Sequence, residues 1–195
     1  DINDFVSGLK ALLKDTGVIT IEFPHLLRLI EASYFDTIYH EHYSYLSFYA
    51  VTQIFKNHGL TLFDVDELPT HGGSLRIYAR HKDNNSLKIS PKVGELMQRE
   101  LQTGINKTEF YTNFSEKTIE TKYKLLELLI KLKREGKTIA GYGAPGKGNT
   151  LLNYCGIRTE FIDYTVDRNP YKHYKFLPGS RIPVFPPEKL EETKP

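Results

Sequence analysis

The chain of 195 residues is long enough to bury a hydrophobic core without help from metals or disulfides, as one large domain or two small ones. Its 26 basic and 24 acidic residues leave a formal net charge of +2, too close to neutral for a nucleic acid or a membrane surface to be its main partner. Cys155 is the only cysteine, which excludes an internal disulfide and a thiolate zinc site and favours the reducing cytoplasm.

The first third of the chain alternates between helix and strand. Apolar residues recur at helical spacing from Ile2 to Leu13, and the strand "VITIEF" follows, closed by Pro24. Ser47 is placed to cap a second helix, "FYAVTQIFKNH". No segment approaches the roughly 20 apolar residues that span a bilayer, and the N-terminus lacks the pattern of a signal peptide. From the near-neutral net charge we expect a small molecule as the partner.

The next two segments predict an antiparallel pair of strands. They are "LTLFDVDEL" and "GGSLRIYAR", joined by a polar turn. In the second segment Leu75, Ile77 and Ala79 share one face, while arginine and tyrosine side chains share the other. The polar, turn-rich stretch that follows marks a boundary, so the first predicted domain is 1–82.

Residues 83–135 predict a mostly helical connector. One helical stripe in it is formed by Ile119, Tyr123, Leu126 and Ile130. Lysines and glutamates lie between these residues, on what we expect to be a solvated face. The helix is predicted to end near Gly136.

Residues 136–195 predict the beginning of a second α/β unit. The strand "TIAGYG", a glycine loop, the helix "NTLLNY" and the strand "FIDYTVD" follow one another. The proline-rich tail "RIPVFPPEKLEETKP" ends before a further strand is predicted, so we expect the sheet to be incomplete. The pattern of the whole chain indicates an α/β fold.

Residues 35–47, "FDTIYHEHYSYLS", contain two histidines, two acidic residues and three tyrosines, which are types of side chain common in active sites and metal sites. Three interpretations are open. His40 and His42 point the same way only on a strand, so they could share a metal ion only if the chain is extended and further ligands come from elsewhere. The tyrosines could instead be packing residues and the histidines hydrogen-bonded surface groups. The third interpretation is catalytic, because a histidine, with an ordinary pKa of about 6.5, accepts a proton near neutrality and the adjacent Glu41 can raise its basicity.

Three stretches of the sequence resemble a known family. "FDTIYHEHYSYLS", "HGGSLRIYAR" and "GYGAPGKGNTLLNYCGI" occur in this order, and together they are similar to the S-adenosylmethionine-dependent sugar C-methyltransferases that act on nucleotide-linked keto-deoxysugars. The resemblance extends from about residue 17 to residue 185. It implies that residues 1–82 are the C-terminal part of a class I methyltransferase domain and that residues 136–195 begin a Rossmann-like domain.

The resemblance also implies roles for the motif. His42 is the expected general base, which removes a proton from the carbon beside a ketone. Tyr39 or His40 would stabilise the enolate oxygen, and Glu41 would orient or polarise the histidine. The carbanion would then attack the methyl group of S-adenosylmethionine. The expected partner is a nucleotide-diphosphate sugar, whereas the oligomeric state cannot be predicted.

The loop "GYGAPG" also permits three interpretations. It matches G-x-G-x-x-G between a strand and a helix, and Asp167 follows about 20 residues later, the spacing of a dinucleotide site in an NAD-dependent oxidoreductase or an NAD sensor. Pro145 and Lys147 suit a single phosphate or the diphosphate of a sugar nucleotide equally well. In the third interpretation, the glycines only allow the strand and the helix to pack closely against each other. From the resemblance we predict that Gly143, Lys147 and Asn149 bind the substrate.

The segment "HGGS", residues 71–74, has two interpretations. Paired glycines before a strand are most often a turn or a bulge. In the context of the family, His71 and Ser74 would lie near the sugar nucleotide.

The chain lacks three features that the family implies. A class I methyltransferase binds its cofactor mainly through a glycine-rich loop after its first strand and an acidic residue after its second, and neither lies upstream of the motif. The zinc-binding cysteines of the family are absent too, so we predict no metal site. We expect a fragment that keeps the proton-abstracting half of the active site and lacks most of the cofactor site. A non-catalytic module that binds nucleotide sugars is the alternative.

Overall fold

The short segment that carries the Tyr-His-Glu-His motif belongs to one unit of the fold, and the residues before and after that segment belong to the other. The computed structural model describes all 195 residues, which form two units. The first unit contains Asp1–Tyr34 and Tyr43–Phe114, and the second contains Phe35–His42 and Ser115–Pro195. The domain limits predicted at residues 82 and 135 stay a prediction.

A three-stranded antiparallel sheet organises the first unit. The elements in chain order are α1 (Ile2–Leu12), β1 (Ile19–Pro24), α2 (Leu26–Glu31), α3 (Phe48–Asn57), β2 (Leu60–Leu68), β3 (Ser74–His81) and α4 (Pro91–Thr103). The strand order is β1-β3-β2 with β3 at the centre, so the predicted antiparallel pairing of β2 with β3 is confirmed. Ser47 begins α3 as predicted, because its hydroxyl oxygen accepts a hydrogen bond from the Ala50 N–H at 3.1 Å.

Alternate residues of β3 form the centre of the hydrophobic core. Leu75, Ile77 and Ala79 are fully buried, as their alternation predicts. Ile77 lies opposite Ile21 on one neighbouring strand and Val65 on the other. Helices α1, α3 and α4 cover this face with Val6, Phe48, Val51, Phe55 and Leu96. The amphipathic helices of the first unit thus need the apolar face of the sheet for their stability.

A short parallel sheet organises the second unit. The elements are α5 (Glu109–Arg134), β4 (Ala140–Tyr142), α6 (Gly146–Cys155), β5 (Tyr164–Val166), β6 (Val184–Phe185) and α7 (Lys189–Thr193). The strand order is β4-β5-β6, and α6 connects β4 to β5, so the predicted strand, loop, helix and strand are all present. The chain is therefore α/β, as its sequence indicates.

The prediction that the proline-rich tail contains no further strand is wrong. Val184–Phe185 pairs in parallel with β5, and the N–H groups of Thr165 and Asp167 donate to the carbonyls of Pro183 and Phe185 at 2.9 and 3.1 Å. Prolines flank this strand on both sides, and proline cannot donate a ladder hydrogen bond. The strand is therefore two residues long, too short to show a period in the sequence.

The buried face of α5 is not the predicted stripe. Ile119, Tyr123 and Ile130 are exposed, whereas Leu129 is 5% exposed and packs with Cys155 and other apolar residues of the second unit. Only Leu126 of the predicted stripe packs against this cluster. An exposed apolar stripe on a charged helix is indistinguishable in sequence from a buried one. None of the helices, α5 included, is long and apolar enough to cross a bilayer.

Two isoleucines provide a matched test of the core. Ile77→Ala should lower the free energy of unfolding by about 2 to 5 kcal/mol, because Ile77 is fully buried and the shortened side chain leaves a cavity. Ile89→Ala removes the same atoms at a site that is 55% exposed and should change it by less than about 0.5 kcal/mol. Urea unfolding followed by circular dichroism measures both. Equal effects would contradict the assignment of β3 as the centre of the core.

Candidate active site

The motif lies on a turn in the second unit. The 3-10 turn Phe35–Thr37 precedes it, and both Phe35 and Thr37 are buried. The His42 N–H donates to the Tyr39 carbonyl at 3.1 Å, so the four motif residues form a turn and not a strand. The extended chain that a shared metal ion would require is absent, and no three His, Cys, Asp or Glu side chains of the chain are grouped to hold a metal.

The turn brings Tyr39 and His42 together. Their ring centroids are 5.1 Å apart and their planes are at 77°, an edge-to-face contact, while the ring of His40 is 6.2 Å from that of Tyr39. Tyr39 and His42 are partly buried, whereas His40 and Glu41 are exposed. Among the four predicted catalytic side chains, His42 and Tyr39 therefore share one sheltered face of the turn.

Tyr39 lies against the first turn of α6. A β-carbon built on Gly146, the first residue of α6, would be 3.7 Å from Cε2 and 3.8 Å from Cζ of the Tyr39 ring. An alanine would therefore touch the ring, and a longer side chain in this direction would displace it. The motif and the "GYGAPG" loop, which the sequence separates by about a hundred residues, are thus neighbours.

The other end of α6 holds the turn that precedes the motif. The ring of Tyr154 packs on that of Phe35 with a centroid distance of 4.9 Å. The Tyr154 hydroxyl lies 3.1 Å from the hydroxyl of Thr118 on α5, and Lys122 lies over the tyrosine ring at 5.7 Å. Nothing in the sequence marks Tyr154 as part of the site, because a contact between residues so far apart in the chain leaves no local pattern.

The glycine loop borders a cavity of about 210 Å³ in the second unit. Gly143 adopts a φ of 99°, a conformation that favours glycine, and its N–H donates to the Val166 carbonyl at 2.6 Å. Gly143 and Asn149 line the cavity, and the side-chain oxygen Oδ1 of Asn149 is buried without a hydrogen-bond partner. Lys147 lies on the first turn of α6 and is partly buried. The three predicted residues therefore cluster around the start of this helix.

The carboxylate of Asp167 fixes the glycine loop by hydrogen bonds. Its carboxylate accepts hydrogen bonds from the Asn169 N–H at 2.8 Å and the Ala144 N–H at 2.7 Å, and Lys172 lies 3.1 Å away. The bond from Asn169, then that from Ala144 and the nearby Lys172, hold the pKa of this carboxyl below its ordinary value, although burial opposes them. Both carboxylate oxygens accept hydrogen bonds from the chain itself, so Asp167 has a structural role at the loop whether or not a ligand binds there.

The predicted residues of the "HGGS" segment belong to the first unit and form a tight turn before β3. His71, Gly72 and Gly73 all have positive φ, and a β-carbon on Gly72 would lie 2.7 Å from the ring of Tyr34. Ser74 is buried, and its hydroxyl donates to the Thr70 carbonyl at 3.1 Å. A cavity of about 450 Å³ lies beside this turn and is lined by Gly72, Gly73, Ser74, His25 and Arg28. His71 itself is exposed.

Two comparisons with known proteins agree with each other. Residues 69–195 match the family model described as the C-methyltransferase C-terminal domain. The chain is also similar to the C-methyltransferase NovU of Streptomyces niveus, with 38% identity over 189 residues. The matched region covers 97% of this chain and 45% of that protein, so the chain spans about half the length of this relative.

The hydrogen bonds to the Asp167 carboxylate predict that the stability of the fold depends on pH. Because its pKa is lowered in the folded chain, the ionised carboxyl stabilises the fold above the ordinary pKa of about 3.9, and this contribution is lost as the pH falls through the lowered value. Asp167→Asn should therefore unfold more easily than the wild type at pH 7, and the difference should shrink toward pH 3. Asp83→Asn, at an exposed position, is the control. Denaturant unfolding at several pH values measures the difference in the free energy of unfolding between variant and wild type. A difference that stays constant with pH would contradict the stabilising role of the ionised carboxyl.

Proposed function

Because the chain belongs to the C-methyltransferase family, we propose that it contributes the proton-abstracting half of an active site that methylates a carbon of a nucleotide-linked keto-deoxysugar. One observation carries the proposal. Tyr39, whose ring packs edge-to-face with that of His42, lies against the first turn of α6, so the acid-base pair is next to a helix N-terminus. A substrate with an anionic diphosphate and a reactive ketone needs both.

The imidazole of His42 is the proposed general base. The hydrogen on a carbon next to a ketone becomes acidic enough to remove only if the developing enolate oxygen is stabilised. We assign this stabilisation to the Tyr39 hydroxyl, because Tyr39 shares the sheltered face of the turn with His42, whereas His40 and Glu41 are exposed. Glu41 is left with the role of orienting or polarising the histidine from the solvent side.

The first turn of α6 is the proposed site of the diphosphate. The first N–H groups of a helix have no partner within the helix, and the helix dipole favours an anion there. Gly146 and Gly148 leave the backbone of this turn accessible, and Lys147 adds a positive charge. Asn149 offers an unpartnered oxygen to the cavity beside the loop, where a hydroxyl or an amide N–H of the substrate could bind.

S-adenosylmethionine is the proposed methyl donor of the whole enzyme, and it supplies the methyl group that the new carbon–carbon bond incorporates. The residues of this chain do not fit it. The cofactor's ribose needs a free acidic side chain near a glycine-rich loop, and the acid beside the GYGAPG loop, Asp167, is engaged by Asn169, Ala144 and Lys172. We therefore assign no residue of this chain to the cofactor, and we keep the cytoplasm as the proposed location because of the lone cysteine.

Replacement of the proposed base tests the function in the full-length protein. His42→Gln should lower kcat for C-methylation by roughly a hundredfold or more, the usual contribution of a general base. It should equally slow the exchange of deuterium into the carbon beside the ketone, which reports proton abstraction without methyl transfer. The KM for the sugar nucleotide should change little.

His58→Gln is the matched control, because His58 bonds to Ser7 and Asn3 of α1 and belongs to the first unit. It should keep nearly full activity. A His42→Gln protein that exchanges and methylates at the wild-type rate would reject the proposed base and favour the non-catalytic binding module.

A further inference from the structure

Tyr154, in the last turn of α6, contacts two other parts of the second unit. Its ring packs on that of Phe35 with a centroid distance of 4.9 Å. Its hydroxyl lies 3.1 Å from the hydroxyl of Thr118 on α5, and the ammonium group of Lys122 lies 5.7 Å from the centre of the ring. Thr118 and Lys122 are four residues apart, on one face of α5. Tyr154 therefore joins α5 to the turn that precedes the motif.

The hydrogen bond between Tyr154 and Thr118 has a defined direction. The Thr118 hydroxyl donates its only hydrogen to the carbonyl of Ser115 at 2.8 Å, so its oxygen is left to accept. The Tyr154 hydroxyl is therefore the donor. Because Thr118 is buried, this bond anchors the hydroxyl end of the tyrosine to a fixed point on α5. The ring is thereby restricted to the place where it meets Phe35.

Two closed turns connect Phe35 to His42. The Ile38 N–H donates to the Phe35 carbonyl at 2.9 Å, and the His42 N–H donates to the Tyr39 carbonyl at 3.1 Å. Phe35 is buried, and a close-packed surrounding leaves such a side chain little room to move. Because backbone hydrogen bonds close both turns, a displacement of Phe35 is passed along the backbone to His42.

Two aromatic contacts place the motif along α6. Tyr39 lies against Gly146, the first residue of the helix, and Phe35 packs on Tyr154, eight residues later. At a rise of about 1.5 Å per residue, the two contact points are about 12 Å apart along the helix axis. One contact alone would leave the segment free to rotate about it, whereas two contacts fix both its position and its direction. Helix α6 therefore determines how far the motif lies from the N-terminus of the same helix.

We propose that Tyr154 is a positioning residue for the reaction, which holds the motif at the distance from the first turn of α6 that the substrate requires. This inference rests on the proposed function, in which the diphosphate binds at that first turn and His42 removes the proton. In a nucleotide-linked sugar, the bonds between the diphosphate and the carbon beside the ketone limit the separation of the two groups. A displacement of about 1 Å in a catalytic group can cost a hundredfold in rate. A helix that contacts both the diphosphate and the turn of the base keeps this separation constant.

Tyr154→Ala is the direct test, in the full-length enzyme. It removes the ring that holds Phe35 and leaves the first turn of α6 unchanged. We therefore expect kcat for C-methylation to fall at least about tenfold and the KM for the sugar nucleotide to stay within about twofold. Tyr123→Ala removes the same atoms from an exposed position on α5 and should leave both constants unchanged. An unchanged kcat in Tyr154→Ala would overturn the proposal.

The conservative variant Tyr154→Phe gives a rescue test. It keeps the ring on Phe35 and loses only the hydrogen bond to Thr118, so kcat should stay within about threefold of the wild type. Equal losses in Tyr154→Phe and Tyr154→Ala would mean that the contact with Phe35 does not matter for the reaction, and would overturn the proposal.

A double-mutant cycle shows whether Tyr154 acts through Phe35. Phe35→Leu keeps an apolar residue at this buried position but removes the aromatic partner. Because the effects of residues in contact are not additive, Tyr154→Ala should lower kcat much less in the Phe35→Leu background than in the wild type. An equal fold-change in the two backgrounds would show that the residues act independently and would contradict the proposed role.

Hydrogen exchange separates positioning from general stability and from the proposed function. Tyr154→Ala should speed the exchange of the Ile38 and His42 N–H groups and leave β5 as protected as in the wild type. Unchanged exchange at these two groups, or faster exchange spread over β5 as well, would overturn the inference. If the wild type methylated no keto sugar, the proposed function would be rejected, and the exchange pattern alone would then decide whether Tyr154 holds the motif.

Discussion

The contact between the Tyr39 ring and the first turn of α6 is the constraint on which the rest of the site depends. A β-carbon built on Gly146 would meet this ring at 3.7 Å, an ordinary van der Waals contact, so the ring lies about one methyl group away from the helix backbone. The N-terminus of a helix is also the end where an anion is favoured. The contact therefore places the turn that carries the motif beside the proposed site of the diphosphate.

Several independent contacts hold this arrangement in place. Tyr154 packs on Phe35 at the far end of α6, and Asp167 fixes the glycine loop through the Ala144 N–H. Both contacts lie within the second unit, the one aromatic packing and the other a hydrogen bond to a carboxylate. Such support is what a general base requires, because its rate contribution falls steeply with misplacement.

Much of the fold could be predicted from the sequence, and the reasons for the failures are physical. The alternation of Leu75, Ile77 and Ala79 identified the buried face of β3, and Ser47 identified the start of α3. Strand β6 was missed because two residues between prolines show no period. The buried face of α5 was misplaced because apolar residues such as Tyr123 are exposed. The role of Tyr154 depends on partners far along the chain, which one sequence does not reveal.

The most direct test of the account is a structure of the full-length enzyme with its nucleotide-linked keto sugar bound. We predict that a ring nitrogen of His42 lies within about 3 to 3.5 Å of the carbon next to the ketone, the separation of a reactive complex. We also predict that the diphosphate contacts the N–H groups of the first turn of α6. A ketone bound away from His42, or a diphosphate bound away from this turn, would contradict the central claim.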